Sequence, residues 1–257
     1  MFENYLRGKN GTKQTDMSVA GETTGEYVTK NAEAGCNITL TIDANLQQAA
    51  EQALKNNIDK INNGGFGAKG NAAAGSVAVL NVKTGEVLAM ASYPDFNPQL
   101  FVDGISTSQW DIYNDPHKSA LLNRAIQSSY APGSIFKMVT AAAALQTGKT
   151  TTSEQINDTG VYHIGTDTKY CWIYTSAGYG HGRVNVSAAI QDSCNYYFYT
   201  MGQRLGIQTL QEYIKMFGLG SKTGIQLPGE ISGSIAGAND KTWYGGDTVD
   251  AAIRTGR

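Results

Sequence analysis

Apolar positions along the chain change period several times, and each change marks an element. Residues 1 to about 37 are polar, rich in Gly, Lys and Thr, and show little periodicity. They read as an extended linker or the edge of another domain. Ile38-Thr39-Leu40-Thr41-Ile42-Asp43 alternates with β-branched residues and predicts a short strand. Asp43 then opens a helical spacing through Leu46, Ala49, Ala50, Ala53 and Leu54. The Gly/Asn/Ala-rich stretch from 57 to 74 predicts a loop. Gly75 to Val82 and Val87 to Ser92 predict a hairpin around Lys83-Thr84-Gly85-Glu86. Two prolines in Tyr93-Pro94-Asp95-Phe96-Asn97-Pro98 end it, because proline cannot continue a ladder.

The segment up to Ser129 is mixed and polar. From Ser134 to about Leu145 the pattern is helical and apolar nearly all round, with Ala141 to Ala144 flanked by Val139 and Leu145, as in a helix buried in a core. Thr150 to Gly182 predicts loops with short strands. Val184 to about Gln191 predicts a short helix. Asn195 to about Phe217 predicts one or two longer ones with Tyr196, Tyr197, Phe198 and Tyr199 on an aromatic face. Gly218-Leu219-Gly220 closes the helical part. A last helical start spans Thr248 to Ile253, and no repeat of solenoid period occurs.

At 257 residues the chain has room for one large domain or a domain plus part of another. It can bury roughly 70–75% of its unfolded surface, so it needs no staples. A net charge of −2 argues against a nucleic-acid partner or a polybasic membrane surface. No apolar run approaches the roughly 20 residues of a bilayer-spanning helix. Met1-Phe2-Glu3-Asn4-Tyr5 is polar where a signal peptide would be basic and then apolar. Cys36, Cys171 and Cys194 are odd in number and widely spaced. They carry no short metal-binding spacing and read as free or buried thiols.

Tyr130-Ala131-Pro132-Gly133-Ser134-Ile135-Phe136-Lys137 carries the candidate chemistry. Pro-Gly marks a turn, and a serine after it suits a helix start. Residues three apart share a helix face, which puts the Ser134 hydroxyl beside the Lys137 amine. Desolvation disfavours a charged lysine, and a neutral one can take the serine proton and create a nucleophile. Ser-x-x-Lys alone is equally an ordinary capped helix with a surface lysine. A lysine on an otherwise apolar helix, however, needs a reason. Ser193-Cys194-Asn195 lies between two helical segments. Its Ser and Asn can bond a lysine and a substrate amide, or Ser193 can simply cap the next helix. His181 lacks a matching acid spacing and reads as structural.

Both elements, in this order, resemble the serine enzymes that recognise penicillin. The chain is similar to class B high-molecular-weight penicillin-binding proteins, the peptidoglycan D,D-transpeptidases of bacterial walls. The likeness extends over Leu6-Arg7-Gly8-Lys9-Asn10-Gly11, Leu40-Thr41-Ile42-Asp43, the hairpin with its Tyr93-Pro94 exit, and Asn123-Arg124-Ala125. It continues through Phe217-Gly218-Leu219-Gly220, Gly224-Ile225, Leu227-Pro228-Gly229-Glu230 and Gly246-Asp247-Thr248. The family's third motif, Lys-Thr-Gly on an edge strand, is not recognised. Lys83-Thr84-Gly85 is a hairpin tip, and Lys222-Thr223-Gly224 precedes the place where that strand belongs. The chain therefore reads as truncated before the motif, with residues 1–37 as linker or the end of a non-catalytic domain and 38–257 as an incomplete transpeptidase domain.

The resemblance implies an α+β fold: a mainly antiparallel sheet flanked by helices, with an all-helical lobe and the last strands missing. It implies Ser134 as nucleophile, Lys137 as its base, Ser193 as proton relay to the leaving amine, and Asn195 as holder of the donor amide. The donor is a stem peptide ending in D-Ala-D-Ala, β-lactams acylate the same serine, and neither metal nor organic cofactor is required. The parent protein is implied to be membrane-anchored, facing the extracytoplasmic side, with wall-synthesis partners. The chain alone is expected to fold poorly and to show little activity, since losing one oxyanion donor costs about 10²–10³ in rate and an open sheet edge invites aggregation. Two other readings compete. A serine β-lactamase or β-lactam sensor shares Ser-x-x-Lys but ends soon after Lys-Thr-Gly. A non-catalytic wall-synthesis scaffold has no need of Ser134, Lys137, Ser193 and Asn195 together.

Overall fold

The computed structural model describes residues 2–235, 237, 243 and 245–253. Contacts divide the chain into two compact units, one of residues 1–127 with 226–229 and one of 128–225 with 230–257.

The first unit opens with a short helix, α1 (Glu3–Leu6), and an antiparallel hairpin, β1 (Thr12–Met17) with β2 (Thr23–Lys30). Where the polar pattern predicts linker, the chain pairs with itself. Lys13 with Glu26 and Tyr27 with Asp16 join the two strands across the ladder. Nearly every residue of both strands is exposed, so the pairing leaves no apolar alternation to read. The strand predicted at 38–43 does not form. Asp43 makes one backbone bond to Leu88 (3.0 Å) and the Thr41 hydroxyl donates to the Val87 carbonyl (2.6 Å), but no ladder develops.

Asp43 instead caps α2 (Ala44–Asn62), its carboxylate accepting from the Leu46 N–H at 2.9 Å. This helix lies on the hairpin of β3 (Gly75–Leu80) and β4 (Val87–Tyr93). Leu46, Ala50 and Leu54 meet Val77, Val79, Ala89 and Ala91 in a small core. The Gln47 amide bonds both the N–H and the C=O of Met90, at 2.8 and 2.9 Å, and so fixes the helix on the strand. Helix α2 runs past its predicted end because Ile58, buried, carries its last turns. Three short helices follow: α3 (Gln99–Asp103), α4 (Thr107–Tyr113) and α5 (Arg124–Gln127). The buried Arg124 donates to the carbonyls of Pro94 and Lys118, tying the hairpin exit to the turn before α5.

The second unit is mainly helical. A 3-10 turn (Gly133–Phe136) leads into α6 (Lys137–Gln146). Then come β5 (Ile156–Asp158), β6 (Val161–Ile164), β7 (Asp167–Tyr170), α7 (Trp172–Ala177), β8 (Gly182–Val184) and α8 (Val186–Gln191). Helix α9 (Asn195–Met216) bends at Gly206, where φ is 74°, and α10 (Gly245–Ile253) packs on it. β5 pairs with β8 and β6 with β7, both antiparallel. The core is drawn from α6, α8, α9 and α10, around Phe136, Ala143, Ala144, Phe198, Met201 and Val249. The fold is α+β, with its strands in antiparallel pairs.

Candidate active site

The 3-10 turn places Ser134 directly ahead of α6, and its carbonyl accepts the Lys137 N–H. A 3-10 turn has three residues per turn, so positions i and i+3 lie one above the other. Ser134 is exposed at the surface while Lys137 is 2% exposed, in the first turn of the apolar α6. The lysine does not pair with the serine as spacing alone predicts. Its Nζ donates to the Ser193 carbonyl (2.7 Å), the Ser193 hydroxyl (2.9 Å) and the Asn195 Oδ1 (2.6 Å). These three bonds use all three protons of an ammonium. Among the described residues the Ser134 hydroxyl has no hydrogen-bond partner.

The three acceptors are neutral and no carboxylate bonds the ammonium. Burial therefore governs, lowering the Lys137 pKa from 10.5 to about 8, against an opposing pull from Cys171 and Cys194. A lysine so lowered gives up its proton far more easily than an exposed one, and as the free amine above about pH 8 it can accept one.

Ser193 owes its position to the end of α8. The Cys194 N–H bonds the Ala189 carbonyl (2.9 Å) and the Ser193 N–H bonds the Ile190 carbonyl (3.2 Å). This is a Schellman closure, and its left-handed residue is usually glycine. Here it is Ser193, at φ 51°. The N-cap of α9 is Cys194, whose Sγ accepts from the Tyr197 N–H, so Ser193 is not the cap. A serine in a glycine position costs about 1–2 kcal/mol, and what it adds is a hydroxyl on Lys137. Ser193→Gly is accordingly expected to melt higher than Ser193→Ala, which loses the same hydroxyl and keeps the strain. A difference of about 1 kcal/mol in thermal or urea unfolding is the expected reading.

The cysteines are free, and Cys171 and Cys194 are buried, as their number and spacing suggest; the structure also gathers these two into a second cluster beside this turn. Asp158, Cys171, His181 and Cys194 bring one ligand atom each to within 4.8 Å of one another. Asp158 Oδ2 accepts from His181 Nδ1 (2.7 Å), the His181 N–H (3.1 Å) and Cys194 Sγ (3.3 Å); Oδ1 accepts from the Gly160 N–H (2.6 Å). Burial opposes the Asp158 charge, but these bonds, led by His181, outweigh it and hold the carboxyl below its usual range. The bond from Cys194 draws the Cys171 thiol down, and Cys194 is pushed up correspondingly. Two sulfurs, an imidazole nitrogen and a carboxylate oxygen form a donor set suited to a tetrahedral zinc-class ion. Cys36 is exposed.

Neither Lys-Thr-Gly triplet lies in a strand. Lys83-Thr84-Gly85 is the β3–β4 turn, and Thr223 and Gly224 bond the Glu230 carboxylate through their backbone N–H groups.

A serine on a tight turn, a desolvated lysine three residues on, and a Ser-x-Asn turn holding that lysine define the class of serine acyl-transfer enzymes. Comparison with known proteins gives the family. Residues 75–254 match the penicillin binding protein transpeptidase domain, and the chain belongs to that family. It is 34% identical to the peptidoglycan D,D-transpeptidase MrdA of Escherichia coli (strain K12), over 99% of this chain and 38% of that protein. It superposes with a TM-score of 0.81 on the penicillin-binding protein PBP2 of Helicobacter pylori in complex with MreC, at 27% identity, covering 99% of this chain and 45% of that one. A penicillin G acyl-enzyme of penicillin-binding protein A from M. tuberculosis gives a TM-score of 0.70 at 27% identity, covering 87% and 49%. The chain thus spans less than half the length of these relatives. Among the described residues no helix is long and apolar enough to cross a membrane.

Proposed function

We propose that the protein carrying this domain is a peptidoglycan D,D-transpeptidase. Ser134 attacks the penultimate carbonyl of a stem peptide ending in D-Ala-D-Ala. The last D-Ala leaves, and an amine of a neighbouring stem peptide resolves the ester into a cross-link. Lys137 takes the Ser134 proton, Ser193 passes a proton to the leaving amine, and Asn195 holds the donor amide. β-Lactams acylate the same serine. The observation that carries this reading is the threefold hydrogen bonding of a buried Lys137 by Ser193 and Asn195, one turn from an exposed Ser134. A scaffold has no use for a lysine desolvated at such cost. The domain works on the extracytoplasmic side of the membrane with wall-synthesis partners, a reading supported by the MreC complex of the Helicobacter pylori relative.

The test is labelling of the intact protein with a fluorescent penicillin, followed by mass mapping of the adduct. A stable adduct on Ser134 is the expected result. Rapid turnover of the β-lactam instead favours a β-lactamase, and no adduct favours a scaffold.

The pH profile follows from Lys137. Only the free amine can take the serine proton, so the acylation rate rises with pH and levels above about 8. Stability moves in the same direction. The unfolded lysine keeps its proton to about 10.5, so between 8 and 10.5 the unfolded state binds more protons and unfolding becomes harder as pH rises. Stopped-flow acylation and urea unfolding across pH 6–11 (roughly the range in which a lysine so shifted titrates) check both.

A further inference from the structure

We propose that the cleft between α9 and the strands β5 and β6 binds a chain of N-acetylated amino sugars. Identifying that chain with the wall glycan rests on the transpeptidase reading above. The cleft has a volume of about 670 Å³. One wall is Tyr196, Thr200 and Gln203 of α9, and the other comes from β5, β6 and the turn between them. Positions 196, 200 and 203 follow the i, i+4, i+7 spacing and form one stripe of the helix. The other face of α9, with Tyr197, Phe198, Met201 and Leu205, is buried in the core. At 1.5 Å per residue the stripe is about 10 Å long, room for two linked sugar rings.

The lining selects a neutral, hydroxylated ligand. Its two side chains of fixed charge, Glu154 and Arg204, pair at 2.8 Å, and Arg204 also donates to the Lys149 carbonyl at 2.9 Å. Neither charge is left to draw an ion. The exposed amides of Gln155 and Asn157 also face this space and make no side-chain hydrogen bond among the described residues. A primary amide offers two donors and an acceptor, which suits an acetamido group or a pair of sugar hydroxyls. Tyr196 supplies apolar surface. The C–H face of a sugar ring is apolar with weakly positive hydrogens, and an aromatic face is negative. Tyr196 is set edge-to-face with the buried Tyr162, ring centroids 5.1 Å apart, and the Tyr162 hydroxyl donates to Gln203 Oε1. The aromatic wall is thus fixed before a ligand arrives, which spares the entropy of ordering it.

An extended peptide is the competing occupant. It takes its affinity from main-chain bonds to an open strand edge. β5 has three residues and β6 four, too few for a ladder of any strength. The cleft's place in the fold gives the consequence. Tyr196 directly follows Asn195, whose Oδ1 accepts from Lys137 at 2.6 Å. A glycan held along α9 therefore brings its strand to the helix end that handles the stem peptide. Binding there lies away from the reacting bond, and such remote binding energy positions a substrate for reaction.

The test uses the intact protein and a β-1,4-linked tetramer of N-acetylglucosamine. Calorimetry or saturation-transfer NMR is expected to show saturable binding of the tetramer. Maltotetraose, which has no acetamido groups, and tetra-alanine are expected to bind about 10-fold more weakly or less. Asn157→Ala and Gln203→Ala change exposed side chains outside the core. Each is expected to weaken sugar binding by about 2- to 10-fold, the weight of one hydrogen bond. Penicillin carries no glycan, so labelling of Ser134 keeps its rate in both variants, while cross-linking of polymerised glycan strands falls with the sugar affinity. No saturable binding of the tetramer, or binding that both variants leave unchanged, overturns the site. Tetra-alanine bound as tightly as the sugar overturns the ligand class. A variant that loses the sugar yet cross-links strands at the parental rate overturns the role in wall synthesis. A protein that binds the tetramer through these residues but never labels at Ser134 overturns the transpeptidase reading and leaves the sugar cleft standing.

Discussion

Replacing Lys137 by Met in the intact protein is expected to slow acylation of Ser134 by roughly 10²–10⁴-fold, the usual contribution of a general base. That range corresponds to about 3–5 kcal/mol of transition-state stabilisation. Methionine matches the lysine stem in length and apolar character, so α6 keeps its packing. It has no proton to give, so the Ser193 carbonyl, the Ser193 hydroxyl and Asn195 Oδ1 lose the donor they share. Two losses are therefore mixed in the one variant: the base itself and the order of the turn it holds. Lys137→Arg separates them. Arginine keeps a positive charge and donors for the same acceptors, but it does not deprotonate in a protein. If Lys137 acts as the base, Arg is as inactive as Met. An arginine variant that labels at near the parental rate would sink the base assignment and leave the lysine a purely structural tie. Single-turnover acylation with fluorescent penicillin, with Ser134→Ala as blank, makes the measurement.

The parts of this site that are local in sequence are the parts that were legible. Ser134 and Lys137 are three residues apart, and a single turn relates them whatever the rest of the chain does. That the Ser-x-Asn element can bond a lysine was legible as a motif; that all three Lys137 bonds go to Ser193 and Asn195 and none to Ser134 was not, because it depends on how the turn after α8 arrives. The four-residue cluster was still less so. Its members are separated by 13, 10 and 13 residues, with no short spacing that links them. Only the packing of β5, α7, β8 and α9 brings them together. The same division holds for the fold. The β3–β4 hairpin is readable because a turn joins two alternating strands that bury one face. The β1–β2 hairpin is not, because neither face is buried. At 38–43 the alternation is real, but the segment finds only one backbone bond on β4. A β-propensity without a partner strand does not make a strand.

The second large effect expected lies behind the site rather than in it. Gly202, buried in α9, lies directly against α10. A Cβ built at this position would lie 2.6 Å from the Ala252 Cβ, 3.2 Å from the Thr248 carbonyl oxygen and 3.3 Å from the Val249 Cα. Two of those three are backbone atoms of a helix that cannot retreat freely, because the Ala252 carbonyl accepts the buried Thr140 hydroxyl of α6 at 2.7 Å. Pushing α10 away from α9 thus also pulls on the helix that begins with Lys137. Gly202→Leu is expected to destabilise the protein by about 3 kcal/mol or more, the upper range for overpacking a filled core. In a chain of this size that is a fall in Tm of roughly 6–12 °C. Gly202→Ala is a gentler probe. Alanine gains about 1 kcal/mol in helix propensity over glycine, so a net loss measures the clash directly. Because the nearest atom is the Ala252 methyl, Ala252→Gly in the same chain is expected to recover most of that loss. The two changes should therefore be non-additive, as contacting residues are. A fully additive double variant would mean that α10 does not pack on α9 through this pair, and that the serine helix draws its support from elsewhere.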